Sequence, residues 1–300
     1  MAYQSMRILQ IDKFLYDSGG SSRIFLDTID GLRARGEEVA EFAMQNPKNR
    51  KSIFTRYFAP SISEIDSKMS KLTKLKLLKQ RFFSDEVERR LGALITDFRP
   101  DIAHIHGGFH QSSASVLRAL HQRRVPIVLT VQAVPLVCET PLQKIEALYY
   151  RLAGVWRNIR LLVCPSEFMA RRLVECGFPK EKMRVIRNPH ALAPQPTAYD
   201  GKSEPMIIYE NRETEILNAL SEGTIVVASR RGGNAEIIVE GESGFLFSPD
   251  DTRNLDAAVQ RAKSLAPSEA GKIIERGRQI VLRDHNPDQF WQQLDWALKL

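Results

Sequence analysis

The stretch from residue 207 to residue 249 constrains the fold of this chain more than any other part. Residues 225–229 (IVVAS) form a short apolar run between glycines, typical of a parallel strand covered on both faces. The preceding segment predicts a helix that ends at Gly223, with one apolar face made of Ile216, Leu217 and Leu220. After the strand, Gly232 and Gly233 allow the backbone to approach a ligand closely, and GFLF predicts another strand. Polar and glycine residues therefore fall at strand ends, where open α/β sheets bind ligands.

The same stretch resembles the donor-binding half of the family 4 glycosyltransferases, which are retaining enzymes with a GT-B fold. Glu210 is followed after seven residues by NALSEG (218–223), then by TIVVAS, by Gly-Gly-x-x-Glu (232–236) and by GFL. Two residues depart from the family pattern: Asn218 stands at the second glutamate and Ile225 at a proline. The resemblance implies an α/β fold of the GT-B type, with a Rossmann-like N-terminal domain and a truncated Rossmann-like C-terminal domain.

The resemblance also implies roles for individual residues of this stretch. Glu210 corresponds to the carboxylate that faces the transferred sugar, and the donor loop corresponds to Gly232, Gly233 and Glu236. Asn218 corresponds to the ribose-binding glutamate. A neutral amide makes a weaker contact there than a carboxylate.

A second glycine pair, Gly19 and Gly20, lies between the first predicted strand (MRILQID) and a helix. Ser21 or Ser22 is expected to cap that helix, and Gly36 is expected to end it. Unpaired N–H groups and the helix dipole make such a turn an anion site, although many α/β turns carry glycine for geometry alone. In the resembled family this loop faces the donor phosphates and the acceptor, so we assign Gly19 and Gly20 to donor binding.

Three histidines follow one another in a predicted strand and the loop after it: His104, His106 and His110. A metal site is one interpretation, but no Asp, Glu or Cys nearby completes it, so we expect none. His104 is expected to pack in the strand, whereas His106 or His110 is expected to reach the ligand, and we select His110. In the next strand the family has a sugar-contacting histidine where this chain has Gln132. Its amide can hydrogen-bond a hydroxyl but cannot carry a proton.

The domain division follows the family pattern up to Asn188. We predict a first domain at 1–190, a linker at 191–205 and a shortened donor-binding domain at 206–300. Roughly 60 to 100 residues are absent by comparison with the family, at about 30 residues per βαβ unit. They include its phosphate-neutralising Arg and Lys. The last helix is expected to dock through Phe290, Leu294, Trp296 and Leu298, in the family onto the first domain.

Composition limits location and partners. The opening MAYQSMRILQID lacks signal-peptide architecture, no apolar run approaches the roughly 20 residues of a membrane span, and three unpatterned cysteines indicate reduced thiols. We therefore expect a cytoplasmic protein. The net charge of +7 is concentrated between Lys48 and Arg90, with twelve Lys or Arg against five Asp or Glu, and no nucleic-acid motif accompanies it. The basic helix predicted near 68–90 is either an ordinary surface helix or a peripheral contact with the inner membrane face.

The functional prediction is transfer of a sugar, with retention, from a nucleotide-sugar donor to a glycan or lipid-linked acceptor, as in polysaccharide biosynthesis. No cofactor or metal is expected, because helix dipoles and basic side chains stabilise the leaving diphosphate in this family. Gln132, Asn218 and the missing segment each weaken that machinery. The alternative is a non-catalytic protein derived from the same family that binds a glycan, a lipid or a protein partner.

Overall fold

The computed structural model describes residues 5–61, 84–107, 113–132, 158–193, 204–210 and 212–300. Their contacts divide the chain into two compact units. The first unit consists of Met1–Cys164, Arg172–Arg184 and Ala297–Leu300, and the second of Pro165–Arg171 and Val185–Trp296. The predictions for His110, for most of the basic helix (68–83) and for most of the linker (194–203) lie outside the described residues.

The first unit is built on a six-stranded sheet in the order β2-β1-β3-β4-β5-β6. Neighbouring strands from β2 through β5 run parallel. The strands are β1 (Arg7–Ile11), β2 (Glu38–Phe42), β3 (Ile102–His106), β4 (Ile127–Thr130), β5 (Ile159–Cys164) and β6 (Met183–Val185). β4 is buried along its whole length, because a parallel sheet carries helices on both faces.

The helices of the first sheet's connections are α1 (Ser21–Ala34), α2 (Asp85–Phe98), α3 (Ser113–Gln122) and α4 (Glu167–Glu175). Phe25 and Ile29 of α1 are completely buried. α2 begins at Ser84, whose hydroxyl accepts the Val87 N–H. α4 begins after Ser166, whose hydroxyl accepts the Met169 N–H at 3.1 Å.

The predicted serine cap of α1 is wrong. The cap position belongs to Gly20, and no side chain caps the helix. The Ser22 hydroxyl instead donates to the Gly19 carbonyl at 3.0 Å and accepts the Ser18 N–H at 2.8 Å. The hydroxyl therefore closes the preceding turn and does not cap the helix. The N–H groups of Ser22 and Arg23 donate to the carbonyls of Gly19 and Gly20, at 3.4 and 3.2 Å.

The second unit contains a three-stranded parallel sheet in the order β7-β8-β9, formed by β7 (Met206–Ile208), β8 (Val226–Ser229) and β9 (Phe245–Phe247). Its helices are α5 (Glu213–Glu222), α6 (Asn234–Ile237), α7 (Thr252–Lys263), α8 (Pro267–Asp284) and α9 (Pro287–Lys299). Gly223 ends α5 in the left-handed conformation, with φ 83°, as predicted.

Burial of β8 on both faces is confirmed. One apolar cluster joins Val226 and Ala228 to the predicted face of α5, and another joins Ile225 and Val227 to α7 and α8. Because successive strand residues point to opposite faces, a run without polar interruption requires cover on both sides.

The expected burial of Trp296 is wrong. Its side chain is 46% exposed, whereas Phe290, Leu294 and Leu298 are buried. Those three residues recur every four positions and share one face of α9, and Trp296 projects from the opposite face. Within the described part of the chain, no helix combines the length and apolarity needed to cross a bilayer.

Candidate functional site

The strand order places a topological switch point between β1 and β3. Both strands are central and hydrogen-bonded to each other, and β2 lies on the other side of β1. The connections after β1 and β3 therefore leave the sheet toward opposite faces, which opens a crevice at the carboxyl edge. Groups that follow these two strands are the first candidates for ligand binding in the first unit.

The glycine turn after β1 exposes unpaired backbone N–H groups. Gly19 and Gly20 have φ of 87° and 54°, which side-chain-bearing residues rarely adopt, and no atom lies within 4 Å of where a Cβ would be. The N–H groups of Gly20 and Ser21 have no acceptor among the described residues. The Gly19 N–H donates to Asp17 Oδ1 at 2.9 Å. The turn therefore offers two free donors at the positive end of a 14-residue helix, which suits an anion.

Asp12, which the sequence analysis did not select, lies at the same edge. It follows the last residue of β1, and its Oδ1 accepts the Lys13 N–H at 2.7 Å. A Cβ at Gly107, the residue after β3, would stand 3.1 Å from this oxygen, so the glycine makes room for the carboxylate. Burial raises the pKa of Asp12 to about 7, against the lowering effect of Lys13. A carboxylate directly after a buried central strand was the signal available in the sequence.

Behind this edge lies a buried polar network across β1, β3 and β4. Gln10 bonds His104 Nδ1 at 3.3 Å and His106 Nε2 at 2.8 Å, and His104 Nε2 bonds the Thr130 hydroxyl at 2.8 Å. The Gln10 carbonyl requires a proton on His106 Nε2, and the Gln10 amide requires a bare Nδ1 on His104. Both rings are therefore neutral tautomers fixed by one glutamine.

The network tests the predictions for His104 and His106. His104 is a packed strand histidine, as expected. Of the two histidines considered for the ligand, His106 does not reach it, because it is 4% exposed and bonded to Gln10. His110, the one selected, lies outside the described residues and stays a prediction. Burial lowers the pKa of His104 to about 3 and that of His106 well below its usual value. Among the described residues, no group of three His, Cys, Asp or Glu could hold a metal ion.

Gln132 lies two residues after the end of β4, at the same edge of the sheet. Both amide atoms are shielded from solvent, and neither has a hydrogen-bond partner among the residues that the structure describes. An unpaired buried amide costs about 1–3 kcal/mol, and such groups in native proteins call for an explanation. A ligand hydroxyl that accepts from and donates to this amide would remove the cost.

In the second unit, a buried asparagine and a serine hold the backbone that carries Glu210. Asn234 Nδ2 donates to the carbonyl of Glu210 at 2.9 Å and to that of Ser229 at 3.0 Å. The Ser229 hydroxyl donates to the Tyr209 carbonyl at 2.5 Å. The Glu210 side chain is 70% exposed and lies 3.2 Å from Arg212. Its backbone is therefore fixed at the carboxyl edge of β7 and β8 while its carboxylate stays accessible.

The glycine turn after β8 leads into α6. Gly232 has φ 57°, and Gly233 is the cap residue of the helix. Glu236, which the sequence assigns to the donor loop, accepts the N–H groups of Glu167 (2.8 Å) and Phe168 at the start of α4. Arg171 and Arg187 lie 3.5 and 3.6 Å from its carboxylate. Glu236 therefore caps the start of α4, whose first residues belong, like Glu236, to the second unit.

Asn218 is exposed on α5, and its carbonyl accepts the Ser221 hydroxyl at 2.9 Å. A buried cluster lies at the first turn of the same helix. Asn188 donates to Glu213 at 3.2 Å, and His285 Nδ1 donates to the Asn188 carbonyl at 2.9 Å. Burial raises the pKa of Glu213 to about 7 and lowers that of His285 to about 4. His285 is therefore neutral at pH 7, and its 3.8 Å approach to Glu213 is not an ion pair.

Two units with parallel sheets, each with glycine turns and polar groups at the carboxyl edge, define a Rossmann-like α/β protein, a class in which ligands bind at those edges. The model described as Glycosyltransferase Family 4 matches residues 18–192, and the chain belongs to this family. A second model, Glycosyl transferases group 1, matches residues 209–280.

Solved structures support the same fold. A glycosyltransferase from Rickettsia africae ESF-5 is 15% identical with a TM-score of 0.68, and the match covers 99% of both chains. HepE from Anabaena, solved in complex with UDP-glucose, is 14% identical with a TM-score of 0.68 over 98% of this chain and 99% of its own. Sucrose-phosphate synthase from Thermosynechococcus elongatus is 13% identical with a TM-score of 0.69 over 98% of both. The comparison with curated protein sequences gave no match. The predicted α/β fold of the GT-B type is confirmed.

Proposed function

We propose that this protein transfers a sugar from a nucleotide-sugar donor, with retention of anomeric configuration, to a glycan or lipid-linked acceptor. Membership of family 4 supports glycosyl transfer. The structural neighbour HepE was solved with UDP-glucose and with UDP, which supports a nucleotide-sugar donor. We place the reaction in polysaccharide assembly at the cytoplasmic side of the membrane, in keeping with the basic segment of the chain.

The observation that carries this proposal is the unpaired, solvent-shielded amide of Gln132 at the carboxyl edge of the first sheet. Hydroxyl groups both donate and accept, so a sugar satisfies both amide atoms at once. The proposed role of Gln132 is therefore to orient the transferred sugar by hydrogen bonds.

The other proposed roles follow from charge. In glycosyl transfer, positive charge develops at the anomeric carbon and negative charge on the leaving diphosphate. Glu210 faces the sugar with its accessible carboxylate and stabilises the positive centre. The free N–H groups at Gly20 and Ser21, and the turn at Gly232 and Gly233, bind the phosphates without a metal ion.

We also propose that the reaction is slow and that the donor-binding domain is shorter than in the rest of the family. The three strands of the second sheet support the shortening. Asn218 replaces a carboxylate at the ribose, and Gln132 replaces a group able to carry charge. Each loss of charged stabilisation costs several kcal/mol, which corresponds to orders of magnitude in rate.

The test is calorimetric titration of the whole protein with UDP, GDP and ADP, followed by hydrolysis assays with the matching sugar donors. A micromolar dissociation constant, about −8 kcal/mol, is expected for one nucleotide. Glu210→Gln should retain nucleotide binding and lose donor hydrolysis. Glu181→Gln, which changes an exposed glutamate of the first unit, is the matched control and should alter neither.

Absence of nucleotide binding in a protein that unfolds cooperatively would overturn the proposal and favour the non-catalytic alternative. Donor hydrolysis that persists unchanged in Glu210→Gln would refute the role of Glu210 alone.

A further inference from the structure

The segment after β2, residues 43–61, forms what we call the basic loop. It contains four positive residues, Lys48, Arg50, Lys51 and Arg56, and no Asp or Glu. It leaves the sheet at the carboxyl edge, the edge that also carries the glycine turn after β1.

Hydrogen bonds close the basic loop at its base and attach it to the rest of the first unit. Met44 and Ala59 form a β-bridge, and the Gln45 N–H donates to the Ala59 carbonyl at 2.7 Å. The Arg50 N–H donates to the Leu15 carbonyl at 2.7 Å. The backbone of the loop is therefore held in a defined shape at its base and at Arg50.

The loop lines a cavity of about 550 Å³ that is open to solvent, and its volume is within the range of small-molecule sites. Its lining combines amides, hydroxyls and cations and contains no carboxylate; it includes Gln45, Asn46, Arg50, Lys51, Thr55 and Ser61. Amides and hydroxyls form hydrogen bonds with both donors and acceptors, and the cations favour a negatively charged ligand.

The positive charges of the loop are only partly compensated. Arg50 pairs with Asp30 at 2.8 Å, and Arg56 approaches Asp97 at 3.9 Å. Lys51 has no carboxylate partner among the residues the structure describes. An unpaired ammonium at the wall of a polar cavity leaves a positive potential available to a ligand.

Ile53 lies in the same loop and is 85% exposed, more than any other large apolar residue described. A single exposed apolar residue is ordinary on a protein surface. Between Lys51 and Arg56, however, it forms the combination that binds at an anionic lipid interface, where the apolar side chain enters the membrane and cations contact headgroups.

We propose that the basic loop is a binding site for a phosphate monoester or diester, carried by the acceptor or by an anionic lipid headgroup. This inference rests on the proposed function in assigning the phosphate to an acceptor. Lys51 and Arg50 contact the phosphate oxygens, and the amides and hydroxyls of the cavity bind the attached polar group.

The experiment measures binding of glucose 6-phosphate by calorimetry, and co-sedimentation with phosphatidylcholine vesicles with and without phosphatidylglycerol. Lys51→Gln should weaken whichever interaction is present about tenfold, the loss expected for one charge-assisted contact. Lys272→Gln, an exposed lysine on α8, removes the same net charge and should leave binding unchanged. Equal weakening by both variants, or no binding to either probe, would overturn the proposal.

A third variant separates the two sources of phosphate. Ile53→Ser should abolish vesicle binding and leave glucose 6-phosphate binding intact if the site serves a lipid headgroup. If the protein binds glucose 6-phosphate but not vesicles, and Lys51→Gln weakens the glucose 6-phosphate binding, the site is assigned to a soluble phosphorylated acceptor. Vesicle binding that needs phosphatidylglycerol and Lys51 but survives Ile53→Ser assigns it to headgroups without insertion.

Nucleotide titration of the same samples distinguishes this inference from the proposed function. Retained nucleotide binding with a loop that binds neither probe refutes the loop site only. A loop that binds phosphate in a protein that binds no nucleotide refutes the transferase proposal and leaves a phosphate-binding protein.

Discussion

Replacing Asp12 by asparagine should stabilise this protein at alkaline pH and have no effect on stability at acid pH. Asp12 is half-buried at the end of β1, and its recorded hydrogen bond comes from the Lys13 N–H. Its pKa rises from 3.8 to about 7, chiefly by burial. The folded state therefore binds the proton more tightly than the unfolded state does, so stability is highest below pH 4 and declines as pH rises through 7.

The magnitude follows from the shift. About three pKa units at 1.36 kcal/mol per unit give a penalty of about 4 kcal/mol at most for ionised Asp12 above pH 7. Asparagine keeps an oxygen for the Lys13 N–H and carries no charge at any pH. The variant should therefore exceed the wild type in free energy of unfolding by up to about 4 kcal/mol at pH 8.

Urea denaturation of both proteins from pH 4 to pH 8 measures this difference. Other titrating groups change both proteins alike, so the difference between the two curves isolates Asp12. Asp256→Asn, at an exposed position of α7, is the control and should give a small difference that does not change with pH. A pH-independent difference for Asp12→Asn, or a variant less stable than wild type at pH 8, would refute the reasoning.

Three further predictions concern the buried network, the glycine turn after β8 and the carboxylate of Glu236. The wild type should lose stability as pH falls from 6.5 toward 3, because His104 binds a proton in the unfolded chain but not in the folded protein, where its pKa is lowered to about 3. His104→Gln should remove this loss, which urea titrations should record as up to about 1.4 kcal/mol of unfolding free energy per pH unit. Parallel curves for the two proteins would contradict the prediction. Gly232→Ala should cost about 1–2 kcal/mol in urea denaturation at pH 7, since φ of 57° strains a residue with a Cβ; an unchanged midpoint would contradict this. Glu236→Gln should lower the free energy of unfolding by about 1–2 kcal/mol, because it removes the negative charge that faces the start of α4, Arg171 and Arg187. Added salt should reduce this difference. A salt-independent loss would point to packing instead.

Much of the fold could be predicted from local sequence patterns. Three examples are the strand at 225–229, the helix ending at Gly223 and the cap at Ser166. Each forms because of side chains within a few residues of it, so the local sequence is enough to predict it. The wrong prediction of a cap at Ser21 or Ser22 also concerns neighbouring residues only. Two hydroxyls were available, and the geometry of the turn makes the Ser22 hydroxyl donate to the preceding Gly19 carbonyl.

The candidate site was predicted less completely, because its contacts join residues far apart in the chain. Gly19, Gly20 and Gly232 were identifiable, since a left-handed backbone conformation calls for glycine wherever the chain lies. The partners of Glu236 were not, because its bond to the Glu167 N–H spans 69 residues and forms only when α4 and α6 meet. The same holds for the burial of His106, which depends on Gln10 of a neighbouring strand, 96 residues away.

The sequence by itself determined the α/β class and the position of the glycine turns, because these depend on periodicity and on local backbone conformation. The family followed from the resemblance of residues 210–246 to the family's ordered motif. The tertiary structure alone decided that Asp12 lies against Gly107 with a raised pKa and that the basic loop lines an open cavity. It also decided that the Gln132 amide is shielded and has no hydrogen-bond partner among the described residues. Burial and unpaired polar groups are properties of the assembled core. They arise only when strands and loops distant in sequence exclude water together.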